Sequence, residues 1–376
     1  MAELQKVIGL MSGTSLDGID AALVETDGQD IVRPGQALFV AYSAEMRALL
    51  KDALVAASAL AVGEQVPQSI RDAEQRLTDV HADAVGQLLA AAGVRADAIG
   101  LLGFHGQTIL HRPHEHRTWQ IGDGPRLAQL TGIDVVNDFR SADMAAGGEG
   151  APFAPLYHAA LARQTPGLKL PVAVLNVGGV ANVTFVGRET VLAFDTGPGN
   201  APMDDWAMKH LGKPMDENGK LARSGRVDAR ILARMLENPF FARRPPKSLD
   251  RMDFGFEPVN ALSPADGAAT LAAFTAASIA RAAEHFPQPI SEWIMCGGGR
   301  HNKALLGGLR MSVRVPVRPA EDVGWRGDFI EAEAFAYLAA RSAKGLPLSL
   351  PTTTGVPNPT TGGRLYRYDR HLTKEA

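Results

Sequence analysis

Near the start of the chain, Ser12, Gly13, Thr14, Ser15, Asp17, Gly18 and Asp20 crowd hydroxyls, glycines and carboxylates between two apolar runs at 7–10 and 19–24. Backbone N–H groups and hydroxyls with no bulk in front of them suit a phosphate. Two carboxylates would repel a bare phosphate, so Asp17 and Asp20 point to a divalent cation, held directly or through water. The flanking runs read as a strand, a tight turn and a returning strand. Gly13 and Gly18 are expected to take the positive φ of such a turn. The same residues also make an ordinary hairpin turn, and the stretch by itself leaves both readings open.

Polar residues follow apolar runs in the same way further on. The run 99–104 ends in His105-Gly106-Gln107-Thr108, and 133–136 ends in Asn137-Asp138-Phe139-Arg140. Another run, 191–194, ends in Asp195-Thr196-Gly197-Pro198-Gly199-Asn200, and 293–296 ends in Gly297-Gly298-Gly299. In open α/β sheets ligands bind at the carboxyl ends of strands, where these groups would lie. A second strand, turn, strand unit at 172–185 turns through Gly178-Gly179 and echoes the first, which suggests an internal duplication.

The elements that must position these groups follow from periodicity. Residues 45–57 read as a helix. Ile70, Ala73, Leu77, Val80, Ala84 and Leu88 form one apolar stripe along a helix over 68–92, which Gly93 closes. An alanine-rich helix is expected over 268–285, and another over 328–344 carrying Glu331 and Glu333. The glycines of 145–152 are expected to form a hinge where the chain crosses between domains, and 351–363 reads as a surface loop.

At 376 residues, with 45% hydrophobic and 21% charged content, the chain is expected to form two domains. The expected boundaries are 1–140, with the tail 346–376 packing back on it, and 141–345. A net charge of −3 gives no sign of a polyanionic partner. No apolar run approaches the ~20 residues that span a bilayer, and the start shows no signal-peptide pattern, so a cytoplasmic location is expected. A single cysteine, Cys296, excludes an intramolecular disulfide and a multi-cysteine metal site.

With these blocks in order, the chain resembles the anhydro-N-acetylmuramic acid kinases, members of the actin, hexokinase and Hsp70 superfold. The resemblance runs from Gly9 to about Gly363 and is carried by 9–20, 103–108, 120–122, 131–140, 147–152, 176–182, 194–200 and 296–299. It implies an α/β, two-domain actin-like (ribonuclease H-like) fold, with duplicated mixed five-stranded sheets and an interdomain ATP cleft. The implied reaction converts 1,6-anhydro-N-acetylmuramic acid, ATP and water into N-acetylmuramic acid 6-phosphate and ADP, a step in recycling cell-wall amino sugar. The resemblance further implies a homodimer.

A 1,6-anhydro sugar has no free 6-hydroxyl for a base to deprotonate. Water attacking C1 while O6 leaves towards the γ-phosphorus needs one carboxylate base and no partner acid. The resemblance gives that role to Asp195, and places Glu331 near the sugar to orient the water. It implies sugar contacts at Ser12, His105, Gln107, Thr108 and Arg140, the last a fork-shaped donor suited to the lactyl carboxylate. It implies ATP contacts at Gly13, Thr14, Ser15, Asp17, Gly18, Ile19, Asp20, Asn176, Gly178, Gly179, Gly197, Gly297, Gly298 and Gly299, with Asp17 serving Mg²⁺. A non-catalytic ATPase would share the two hairpins without needing His105, Arg140 and Asp195, and a conventional sugar kinase would use Asp195 on a free hydroxyl.

Overall fold

The structure, a computed structural model, describes residues 3–369. The chain divides into two compact units: unit 1 runs to Gln164 and resumes at Phe329, and unit 2 is Thr165–Asp328. Unit 1 contains β1 (Gln5–Ser12), β2 (Gly18–Thr26), β3 (Val32–Ala41), α1 (Ala44–Ala59), α2 (Gln68–Ala92), β4 (Leu101–Arg112), β5 (Arg117–Ile121), α3 (Gly124–Thr131), β6 (Val135–Asn137), α4 (Ser141–Ala145) and α5 (Pro155–Gln164). Unit 2 contains β7 (Val172–Val177), β8 (Val180–Val186), β9 (Val191–Pro198), α6 (Ala201–Leu211), α7 (Lys220–Ser224), α8 (Ala229–Met235), α9 (Pro264–Ala282), β10 (Trp293–Cys296), α10 (Lys303–Ser312) and β11 (Val317–Pro319). The chain then returns to unit 1 as α11 (Ile330–Ala343) and β12 (Arg364–Tyr366).

In unit 1, β1, β2 and β3 form an antiparallel meander, and β4 and then β6 continue the sheet parallel to β1. Unit 2 repeats this: β7, β8 and β9 meander, and β10 and β11 run parallel to β7. That repeated order is the actin-like, ribonuclease H-like architecture. The second sheet has the five strands expected, whereas the first has seven. The extra two are β5, which folds back on β4, and β12, which pairs antiparallel with β6 at the edge.

The stripe on α2 packs Ile70, Ala73, Leu77, Ala84 and Leu88 into the core with α1, and Gly93 ends the helix at φ 63°. On the opposite face of the sheet, α11 lies directly on β1 and β4. Gly9 and Gly103 are register partners on those strands, and a Cβ on either would overlap a backbone carbonyl of α11, at Ala332 or Phe335. Two missing side chains thus set how closely the helix carrying Glu331 approaches the sheet. In unit 2 the core gathers Trp206, Phe274, Ile279 and Trp293 against β7–β9, and the Trp206 indole donates to the Pro264 carbonyl at 2.8 Å. No helix among the described residues is long and apolar enough to cross a membrane.

The division falls elsewhere than the expected boundaries. Residues 141–164 and 329–345 belong with unit 1, because α5 packs on α11: the Tyr157 hydroxyl donates to Glu333 at 2.5 Å, and the Tyr157 and Tyr337 rings meet edge-on at 5.8 Å. The glycine loop 147–150 is therefore internal to unit 1 and is pinned there. Asp143 accepts from the Gly150 N–H and from the Thr354 hydroxyl, while the Glu149 N–H donates to the Thr354 carbonyl. The last residues of the expected tail, 370–376, lie outside the described residues.

Candidate functional site

β1 delivers the first polar turn at its carboxyl end. The positive φ of that turn falls on Leu16, at 55°, and not on Gly13 or Gly18. Leu16 is buried, so its side chain anchors the turn in the core while its N–H donates to the Gly13 carbonyl at 3.3 Å. Gly18 answers a different need: a Cβ there would sit 2.6 Å from the Phe39 ring on β3. A Cβ on Gly13 would find nothing nearer than the Ser15 hydroxyl at 3.5 Å, so the space before Gly13 is open. Thr14, Ser15 and Asp17 are exposed there, with Ser15 donating to Asp17 at 2.5 Å.

Ser12 and Gln107, expected to touch sugar, are fully buried and brace the turn. The Ser12 hydroxyl donates to Gln107 Oε1 at 2.5 Å and also bonds the Tyr42 hydroxyl at 2.6 Å. Gln107 Nε2 donates to the Gly13 carbonyl at 3.1 Å. Ile19 is likewise buried in the core, and Thr108 accepts from Gln120 at 3.2 Å.

Beside this brace, β4 bulges: Leu10 faces Phe104, but Ser12 faces Gln107, and Gly106 absorbs the extra residue at φ 72°. The bulge turns His105 towards α11, where its ring packs 4.5 Å from that of Phe335. His105 Nδ1 is 2.7 Å from the Gly106 carbonyl, and Nε2 accepts from Arg140 Nε and Nη2 at 3.1 and 3.0 Å. Burial, reinforced by the Arg140 charge, holds the imidazole well below its ordinary pKa. The ring is thus neutral, with the proton on Nδ1. Arg140 also donates to the Gly150 carbonyl at 2.5 Å and lies over the Phe153 ring. Burial lowers its pKa to about 10, with Glu331 and Asp143 opposing, so it stays charged near neutrality. Glu331, on the first turn of α11, keeps a solvent-exposed surface although protein crowds it; that crowding raises its carboxyl pKa and Arg140 opposes the rise. His105, Arg140 and Glu331 form one electrostatic cluster.

In unit 2, the β7–β8 turn at Gly178-Gly179 is held from behind, where the Asn200 and Gly199 N–H groups donate to the Gly178 and Gly179 carbonyls at 2.7 and 2.9 Å. In front, a Cβ on either glycine would have room. Asp195, buried on β9, donates its N–H to the Lys247 carbonyl at 2.9 Å and accepts the Leu249 N–H on Oδ2 at 2.8 Å. Lys247 is buried beside it, donating to the Phe240 carbonyl at 3.1 Å and lying 4.5 Å over the Phe240 ring. Burial lowers the Lys247 pKa to about 8, helped by Arg243 and Arg281, while the Asp195 charge opposes the fall. Gly197, at φ 152°, packs against Ser278.

At the end of β10, Gly297 takes φ 72° and faces Asn176, and a Cβ on Gly299 would press on Val177. Only Gly298 of the three leaves space before it. Three further groups of unit 2 were not foreseen in these roles. Lys247 follows a Pro-Pro pair in an irregular connection. Arg251 has its side chain beside Gly179 and pairs with Asp205 at 2.8 Å. Asp204, on the first turn of α6, has its carboxyl pushed up to about 7 by burial, with Arg251 opposing.

Among the described residues no three His, Cys, Asp or Glu side chains gather as a metal cage. Mg²⁺ held mainly by water and phosphate oxygens needs only one or two carboxylates. Asp17, on the turn, and Asp20, near the start of β2, are carboxylates of the number that demand sets.

The anhydro-N-acetylmuramic acid kinase family model matches residues 5–368. The chain is 52% identical over 365 residues to an anhydro-N-acetylmuramic acid kinase of Rhizorhabdus wittichii, covering 96% of this chain and 98% of that one. It is 51% identical over 361 residues to one of Paramagnetospirillum magneticum, covering 95% and 98%. Among solved structures, component A of an Acidaminococcus fermentans (R)-2-hydroxyglutaryl-CoA dehydratase aligns with a TM-score of 0.46 at 11% identity, covering 90% and 99%. A ROK family glucokinase of Streptomyces griseus, in complex with glucose and AMPPNP, aligns with a TM-score of 0.43 at 16% identity, covering 89% and 99%.

Proposed function

The chain belongs to the anhydro-N-acetylmuramic acid kinase family, and from that premise we propose how its residues divide the work. The enzyme is a kinase of amino-sugar recycling that uses ATP. In our reading, unit 1 supplies the γ-phosphate turn at Gly13, Thr14 and Ser15 and the sugar contacts at His105, Arg140 and Glu331. Unit 2 supplies the base, Asp195, the other phosphate turn at Gly178-Gly179, and the adenosine contact at Gly298. Ser12 and Gln107 hold the first turn in place.

The observation that carries the assignment of Asp195 is its setting. It is a buried carboxylate on a strand. The Leu249 N–H orients one carboxylate oxygen, and the positive charge of Lys247 lies within electrostatic reach, a setting that suits a general base. It takes a proton from the water that attacks C1. O6 leaves C1 with the electron pair of that bond and attacks the γ-phosphorus, and ADP departs. Neutral His105 holds Arg140 through Nε2, and the remaining N–H groups of Arg140 offer charge to a sugar carboxylate. Mg²⁺, placed by Asp17, would neutralise phosphate charge. We also propose a homodimer working in the cytoplasm.

The test combines a variant with isotopic water. Asp195→Asn should keep the fold and ATP binding and lose turnover to below a few per cent. Turnover by the unaltered enzyme in ¹⁸O water should label C1 of the sugar and leave the phosphate unlabelled. Label in the phosphate would mean that water attacks phosphorus, and opened, unphosphorylated sugar formed without ATP would mean a separate hydrolase.

A further inference from the structure

Arg140 gives one N–H from each of its nitrogens to the protein: Nε and Nη2 donate to His105 Nε2, and Nη1 donates to the Gly150 carbonyl. A guanidinium carries five N–H donors, so one is left on each terminal nitrogen. That pair is the fork that takes a carboxylate end-on through two parallel bonds. Two anchors set its direction. His105 is held by the β4 bulge, whereas the Gly150 carbonyl belongs to the glycine loop and needs an anchor of its own.

The Gly150 N–H supplies it by donating to Asp143 Oδ2 at 2.8 Å, and Asp143 Oδ1 accepts the Thr354 hydroxyl at 2.6 Å. Asp143 and Thr354 are both buried. The loop is fitted to this carboxylate, since a Cβ on Gly148 would overlap Oδ2, and the Gly148 N–H donates to the Asp143 carbonyl at 2.9 Å. Thr354 comes from 351–363, whose composition reads as a surface loop, yet Thr353, Thr354 and Val356 are buried. The Thr353 and Thr354 N–H groups donate to the Leu350 carbonyl at 2.9 and 3.2 Å, forming a turn, and the Thr354 carbonyl accepts the Glu149 N–H at 2.7 Å. One residue thus grips the loop through both its side chain and its backbone. An unbroken chain of hydrogen bonds runs from Thr354 through Asp143 and Gly150 to Arg140, and any movement of the Gly150 carbonyl turns the guanidinium about His105 and swings the free fork.

We propose that Asp143 and Thr354 are positioning residues for the substrate: by fixing the Gly150 carbonyl they aim the free fork of Arg140, and so set the affinity for the carboxylate of the sugar. The proposal rests on the reading that Arg140 meets that carboxylate. Thr354→Val removes the hydroxyl at nearly constant volume and alters no group assigned to substrate. Two anhydro sugars are compared, one with the lactyl carboxylate and one with the corresponding carboxamide. The unaltered enzyme should favour the carboxylate in kcat/KM at least about tenfold. Thr354→Val should raise KM for the carboxylate sugar about tenfold, since a displacement of ~1 Å can cost more than that. Its kcat, its KM for ATP and its kcat/KM for the carboxamide should stay within about threefold, and Thr354→Ser should restore the preference. Should Thr354→Val not fold, Thr354→Ala, which places no methyl group against the carboxylate, carries the same expectation. Equal losses for both sugars would make Thr354 a packing residue only, and an unaltered preference would equally overturn the proposal. Arg140→Lys, which keeps the charge and lacks the fork, separates the two levels. Loss of the preference there but not in Thr354→Val would keep the reading of Arg140 and refute the clamp, whereas a preference retained in Arg140→Lys would remove the reading and the proposal with it.

Discussion

Gly9 and Gly13 lie in one strand and the turn that follows it, and replacing each with alanine should have opposite consequences. At Gly9 a Cβ would overlap the Ala332 carbonyl and stand 2.6 Å from the Ala336 nitrogen, both helix backbone. Restoring ordinary contact at ~3.4 Å from that nitrogen alone requires α11 to retreat by about 0.8 Å, and the carbonyl demands more. Overpacking of this kind costs about 1–3 kcal/mol, and a helix backbone yields less than a side chain, so we take about 3 kcal/mol. At roughly 2–4 °C per kcal/mol for a unit of this size, the melting temperature should fall by about 6–12 °C. The displaced helix carries Glu331 and the Phe335 ring under His105, and a shift near 1 Å can cost about a hundredfold in rate. At Gly13 the backbone takes no left-handed φ and the nearest atom is 3.5 Å away, so alanine should leave stability within about 0.5 kcal/mol. The methyl group would instead enter the space we give to phosphate, lowering kcat/KM for ATP at least about tenfold. Calorimetric melting and a coupled ADP assay read both effects. A Gly9→Ala protein melting within 2 °C (about 0.5–1 kcal/mol) of the parent would refute the packing argument, and unaltered ATP kinetics in Gly13→Ala would refute the phosphate assignment.

Two other measurements probe buried charge. Lys247→Met should move the acid limb of the kcat/KM profile to higher pH, because removing a nearby positive charge makes Asp195 easier to protonate; Lys247→Arg should restore part of the shift, and a rate loss with an unmoved limb would make Lys247 a packing residue only. Acid stability follows from His81, with a pKa lowered to about 4 by burial, His158, lowered to about 3, and His105, also held well below the ordinary value. The unfolded chain takes up protons near pH ~6.5 that the folded chain refuses, so this contribution is complete above ~6.5 and is lost as pH falls towards the folded values. At pH ~5 each histidine costs on the order of 2 kcal/mol, so urea midpoints should drop steeply from pH ~7 to ~5; His158→Phe should flatten the fall, and equal slopes would contradict the assignment.

The sheets were legible because the pattern of apolar runs and glycine turns repeats, and the helix over 68–92 because one stripe and one closing glycine mark it. The unit boundary was not legible. Gly147, Gly148 and Gly150 look like a hinge in sequence, but what decides their freedom is Asp143 and Thr354, more than 200 residues apart, which pin the loop from both sides. The sharpest loss of information is at the turns. Ser12, Thr14, Ser15 and Gln107 are all small or neutral polar residues beside glycines, and nothing in residue type separates those facing outward from those facing inward. That choice is made by the β4 bulge at Gly106, whose extra residue turns Gln107 under Gly13 and His105 towards Arg140. One backbone irregularity therefore orients both the phosphate turn and the sugar cluster. Gly106, at φ 72° against the Ile121 carbonyl, governs residues of the site without itself supplying a polar side chain.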